Sequence, residues 1–218
     1  MPSLGLIAKI ALLAVTSLVL GYVIADWSQS GKQQQAIAAH AEEIFRSPTS
    51  FVAGNPQGDV SVVAFFDYNC PDCRRTAPDL ARLVAQDPKI RVVLKELPVL
   101  GADSEAVARL ALAAKAQGKY AELHDRLITE RGRATVARAL SIASELGLDP
   151  DALKTAAAQP SITATLAENK RLAGELRVKG VPFYLVGNQV LGEGSDPFYP
   201  ELEAAVAKVR KDGCAACR

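Results

Sequence analysis

The stretch VSVVAFFDYNCPDCRR, Val60 to Arg75, sets a pair of cysteines directly behind an apolar run. Val60 to Phe66 is almost wholly apolar and β-branched or aromatic, which predicts a strand buried on both faces. Pro71 suits the first turn of a helix, where its missing N–H breaks no hydrogen bond. The helix so started is expected over Cys70 to Ala85, with Leu80, Leu83 and Val84 facing inward. Cys70 then falls at a strand-to-helix junction, and Cys73 lies one turn further on.

The chain on either side extends this plan. Phe51 to Asn55 reads as a short edge strand, and Ile90 to Leu97 as a strand ended by Pro98. Strand, helix, strand implies a parallel pair with a right-handed crossover. From Asp103 to Arg177 apolar residues recur at helical spacing, as at Val107, Leu110, Ala111 and Ala114. A segment this long is no loop. It reads as several helices, parted near Gly118, Gly132, Gly147 to Pro150, and Pro160. Phe183 to Val186 is expected to turn at Gly187-Asn188 into a return strand, Gln189 to Leu191. Pro197 to Lys211 closes the chain as a helix. The order is that of a thioredoxin-like α/β fold with a helical insertion.

Bulk properties narrow the function. The 218 residues are 49% hydrophobic, enough for one sizeable core, and the net charge of +1 gives no case for nucleic acid. Residues 4–25 are apolar apart from Lys9. They read either as a cleaved signal peptide or as a retained membrane anchor, the one membrane contact expected. Both readings export the remainder, to a periplasmic or other extracytoplasmic place. The expected organisation is a signal or anchor helix over 1–25, a helical linker or stalk over 26–48, the α/β domain over 49–211 with its insertion at about 103–177, and a tail over 212–218.

Outside the cytoplasm cysteine pairs tend toward disulfides, which favours thiol chemistry over a zinc site. At a helix N-terminus the unpaired N–H groups and the macrodipole stabilise a thiolate, which makes Cys70 the nucleophile. Cys73 is within reach to resolve the mixed disulfide. Between them Pro71 stiffens the turn, and Asp72 adds a negative charge that Arg74 and Arg75 are placed to offset. Asp72 therefore predicts a less oxidising couple than a cationic dipeptide would give. His40 and His124 are expected at the surface, away from both cysteine pairs. The competing reading is a copper- or zinc-sequestering protein that uses both pairs. Metal retained without turnover would favour it. A non-catalytic substrate-docking domain is a third reading, which loss of activity in Cys70→Ser would dismiss.

FFDYNCPDCR, KELPVLG (Lys95 to Gly101) and KGVPFYLVGNQVLGE (Lys179 to Glu193) together resemble the DsbA-like thiol–disulfide oxidoreductases. The nearest branch carries FFDYNCxxC and includes the ScsC-type proteins, and the resemblance covers about Phe51 to Lys211. It implies disulfide exchange with cysteine-containing proteins, no cofactor and no metal, and a membrane or soluble partner that resets the disulfide. It further implies a cis Pro182 against the active-site pair, with the backbone of Val181 pairing to an extended substrate. Valine at that position resembles the oxidase branch more than the isomerases.

Two departures stand out. Ala64 occupies the strand position where many relatives carry a buried acid, which leaves Glu96 or Asp67 to substitute. Lys95 and Glu96 read equally as an ordinary strand-end pair. Cys214 and Cys217 form a second CxxC in a tail expected to be exposed and mobile, with an accessory redox role, a Cu(I) role and an incidental disulfide all open. Direction of electron flow, natural substrates and oligomeric state have no sequence signal.

Overall fold

All seven residues of the strand Val60–Phe66 are buried, as a β-branched run between two covered faces requires. The structure is a computed structural model that describes residues 13, 16, 20–22, 30–192, 194–214 and 217. The expected signal or anchor segment lies largely outside the described residues, among which no helix is long and apolar enough to cross a membrane. The chain forms two units, Met1–Ala39 and His40–Arg218. In the first, residues 30–39 are helical. The helix expected over 28–46 is interrupted at His40, whose φ of −108° and ψ of 20° are not helical.

The second unit begins with helix α1 (Ala41–Phe45), which buries Ile44 and Phe45. Strand β1 (Phe51–Gly54) and β2 (Val60–Phe66) follow, then helix α2 (Pro71–Gln86) and β3 (Ile90–Glu96). The helical insertion comprises α3 (Ala102–Ala113) with a 3-10 turn after it, α4 (Tyr120–Ile128), α5 (Val136–Glu145), α6 (Pro150–Ala157) and α7 (Pro160–Glu175). The hairpin β4 (Phe183–Val186) and β5 (Gln189–Gly192) leads into α8 (Tyr199–Asp212). The expected breaks fall where the chain chemistry puts them. Gly118 ends the 3-10 turn in the left-handed region, and Asp149 caps α6 by accepting from the Asp151 and Ala152 N–H groups.

The five strands lie in the order β1-β3-β2-β4-β5. β2 pairs with β3 in parallel, and the other pairings are antiparallel. α2 packs against β1 and β3 on one side of the sheet, burying Cys73, Thr76, Leu80 and Leu83 along one helical stripe. Val84, expected to face inward, packs on the same core while partly buried. This βαβ unit aims the N-terminus of α2 at the C-terminal end of the sheet. There β2 ends at Phe66, and β4 starts just after Pro182.

Candidate active site

Cys70 caps α2 with an extended backbone, φ −78° and ψ 121°. Its Sγ accepts the Cys73 N–H at 3.4 Å, so the free donor of the first helical turn points at the sulfur. The Cys70 thiol donates to the Val181 carbonyl at 3.2 Å. The Val181–Pro182 bond is cis, as the resemblance implied, and so is Asp196–Pro197. Cys73 lies slightly deeper, 1% exposed against 5% for Cys70, and its sulfur accepts the Asp67 N–H at 3.5 Å. Burial pushes the Cys73 thiol far up from its ordinary range. Cys70 thus faces the Val181 carbonyl, while Cys73 lines the cavity behind it. That is the arrangement in which one cysteine meets a partner thiol and the other resolves the bond.

The loop before Cys70 is pinned from several sides. The buried Asp67 carboxylate accepts N–H groups from Asn69 at 2.8 Å, Val99 at 2.8 Å and Leu100 at 3.0 Å. Asn69 donates to Ser104 Oγ and the Ala134 carbonyl, and accepts the Ala134 N–H at 2.8 Å. Arg74 donates to the carbonyls of Tyr68, Glu130 and Gly132. It is therefore drawn away from Asp72, whose exposed carboxylate pairs with Arg75 at 3.2 Å. Of the two arginines expected to offset Asp72, only Arg75 does so.

Behind Cys73 lies a mostly apolar cavity of about 520 Å³, walled by Ala64 and Phe66 of β2, Ala77 and Pro78 of α2, and His124 of α4. His124 corrects the surface expectation. It is 9% exposed, its Nδ1 lies 3.0 Å from the Tyr68 hydroxyl, and its ring stacks on Tyr120 and meets Phe66 edge-on. Burial lowers its pKa to about 4, so the ring is neutral at ordinary pH. The spacing of α4 does not advertise this, because Asp125 and Arg126 beside it are polar.

The DSBA-like thioredoxin domain model matches residues 61–205. The chain belongs to this family. A thioredoxin-like oxidoreductase from Silicibacter pomeroyi is 40% identical, with a TM-score of 0.76 over 79% of this chain and 98% of its own. The catalytic domain of Proteus mirabilis ScsC is 25% identical, with a TM-score of 0.73 over 80% of this chain and 97% of its own. The Na(+)/H(+) antiporter NhaA 1 of Salinispora arenicola is 30% identical over 140 residues, 63% of this chain and 22% of the antiporter. The chain thus spans about a fifth of the length of the curated relatives it matches first. The family read from FFDYNC and its companion motifs is found here, and an ScsC domain is among the structures similar to it. These findings support a protein disulfide oxidoreductase.

Within this DSBA-like domain, Lys95 and Glu96 do end β3, but their side chains take different partners. Successive residues of a strand point to opposite faces. Lys95 donates to the Glu43 carbonyl and Ser50 Oγ, both at 2.9 Å, while Glu96 accepts from Tyr120 on the other side. Burial raises Glu96 to about 7 and lowers Lys95 to about 8.

The tail also departs from expectation. Cys214 is bonded to Cys217 and only 8% exposed, where an exposed, mobile dithiol was expected. It packs beside Gly187, whose N–H donates to Ser61 at the start of β2. Cys70 follows the other end of β2, and seven residues of strand span about 20 Å. Direct exchange between the two pairs of one DSBA-like chain would require the tail to leave this seat. Among the described residues, no group of three or more His, Cys, Asp or Glu is placed to share a metal ion.

Proposed function

We propose that this DSBA-like domain is an exported protein disulfide oxidoreductase that exchanges disulfides with cysteine-containing proteins through Cys70 and Cys73. The observation that carries the proposal is the position of Cys70. It caps α2, accepts the Cys73 N–H, and lies 3.2 Å from the Val181 carbonyl beside cis Pro182. Export is supported by the apolar residues 4–25.

In the oxidising direction a substrate thiolate attacks Cys70 Sγ of the Cys70–Cys73 disulfide. The new bond joins substrate to Cys70, and Cys73 leaves as a thiolate that takes up a proton. A second substrate thiolate then attacks the bound substrate sulfur and releases Cys70. Two electrons pass from substrate to the cysteine pair, and a membrane or soluble redox partner withdraws them. The backbone at Val181 offers an edge on which an extended substrate strand pairs, independent of its side chains. Pro71 and Asp72 tune the couple, with Asp72 already answered by Arg75.

The deciding experiment is the equilibrium of Cys70–Cys73 with glutathione in a chain carrying Cys214→Ser and Cys217→Ser. A reversible couple that disappears in Cys70→Ser is expected. A potential near about −120 mV marks a disulfide donor, and one near about −200 mV or below marks an isomerase or reductase. No reversible couple at all would sink the proposal.

A further inference from the structure

We propose that His124, at the end of a buried chain formed with Tyr68, Tyr120 and Glu96, passes protons to and from Cys73 through the cavity that both residues line. This rests on the exchange reaction proposed above and adds the route of its proton.

Four ionisable side chains meet where the sheet joins the helical insertion. Tyr120 donates to Glu96 Oε1, Tyr68 meets His124 Nδ1 at 3.0 Å, and the Tyr68 and Tyr120 hydroxyls are near enough to act on each other's titration. Glu96 is 1% exposed, and its Oε2 has no hydrogen-bond partner. Burying such groups costs free energy that Phe and Leu in their places would not incur. Packing alone therefore does not account for the chain. Its outer end, the imidazole of His124, forms part of the wall of the cavity that reaches Cys73. That cavity is large enough for several waters, each of which occupies about 30 Å³ in the liquid.

Other candidates for the task are accounted for. Ala64 leaves β2 without an acid at this point. Both carboxylate oxygens of Asp67 are committed to backbone N–H groups. Asp125 also borders the cavity, its carboxyl raised by burial, but it is not hydrogen-bonded to the chain, and Lys95 and Lys115 act on Glu96 only through their charge.

The proton balance is simple. When the Cys70–Cys73 bond opens, Cys73 leaves as a thiolate in surroundings that strongly disfavour charge. A cavity water protonates it and is itself reprotonated by His124. His124 recovers the proton at Nδ1 from Tyr68, Tyr68 from Tyr120, and Tyr120 from the Glu96 carboxyl. Net, one proton leaves Glu96 and one arrives at Cys73 Sγ, and no electron moves. In the reverse direction Cys73 loses its proton along the same path as it attacks Cys70. Glu96 near 7 gives up its proton at neutral pH, while His124 near 4 conducts without holding charge.

The test uses the full chain with Cys214→Ser and Cys217→Ser. A mixed disulfide of Cys70 with glutathione is prepared, and its resolution by Cys73 is timed from about pH 5 to about pH 9. His124→Ala should slow resolution about a hundredfold near neutrality, the low end for a lost acid–base group. Added imidazole should restore it by occupying the vacated space. Tyr68→Phe keeps the ring packing and should remove the inflection of the rate near neutral pH, as should Glu96→Gln. The inference is overturned if Tyr68→Phe and Glu96→Gln follow the wild-type pH profile. It is equally overturned if His124→Ala is slow at every pH and deaf to imidazole. Should His124→Ala not fold, Tyr68→Phe decides alone. A parent chain that resolves no mixed disulfide would instead count against the exchange reaction itself.

Discussion

Glu96 and His124 are two buried groups whose pKa values move in opposite directions, and their effects on stability oppose each other. Glu96 rises from its ordinary 4.5 to about 7 in the fold. Its contribution is fully present below pH 4.5 and is lost as pH rises through 7. His124 falls from 6.5 to about 4, so its contribution is present above 6.5 and is lost as pH falls through 4. Glu96→Gln keeps the neutral shape and removes the first term alone. Its melting temperature should therefore climb relative to wild type between about pH 5 and about pH 8, by up to about 3 kcal/mol in stability. Thermal melts across that range read the difference directly, and parallel curves would refute it. Neither residue was legible as part of one network. KELPVLG placed Glu96 on a strand, and only the pleat sends it toward Tyr120.

At the scale of elements, the β4–β5 hairpin is the most sharply specified joint. Gly187 turns with φ +56°, and a Cβ there would lie 2.9 Å from the Val209 side chain of α8. Gly187→Ala should cost about 1–3 kcal/mol, because alanine meets both the left-handed backbone and the clash. Chemical denaturation checks it, and a loss below about 0.5 kcal/mol would show that α8 gives way freely. The two-residue turn was readable from Gly-Asn between apolar runs. So was the start of α2, since proline in a first turn is a local preference. The three carbonyls that hold Arg74 were not, because two of them, from Glu130 and Gly132, belong to the loop between α4 and α5, distant along the chain.

For the whole molecule, the two cysteine pairs sit at opposite ends of β2. Cys214→Ser with Cys217→Ser should leave the Cys70–Cys73 equilibrium with glutathione within about twofold of wild type, since charge effects across about 20 Å exceed a Debye length. A disulfide closing so short a loop removes little chain entropy, so the melting temperature should fall by only a few degrees. A larger change in the equilibrium would mean that the tail reaches the Cys70 end of the molecule in solution.

The amino-acid sequence alone determined the elements and their order, because strand, helix and turn preferences act over a few neighbouring residues. A buried apolar run, Pro71 in a first turn and the Gly187-Asn188 hairpin are readable without knowing what packs on them. It also determined where Cys70 stands, since the junction of β2 and α2 is itself local. The tertiary structure alone decided which side chains share an interior. Tyr68, Glu96, Tyr120 and His124 come from three separate segments, and the closing of the helical insertion over the sheet brings them together. The tail is the same case: Cys214 looks exposed in a polar C-terminal stretch, and it is buried beside Gly187, with which it shares no local pattern. Periodicity reports which face of an element is apolar, while partners across the fold are set by packing, which no window of sequence contains.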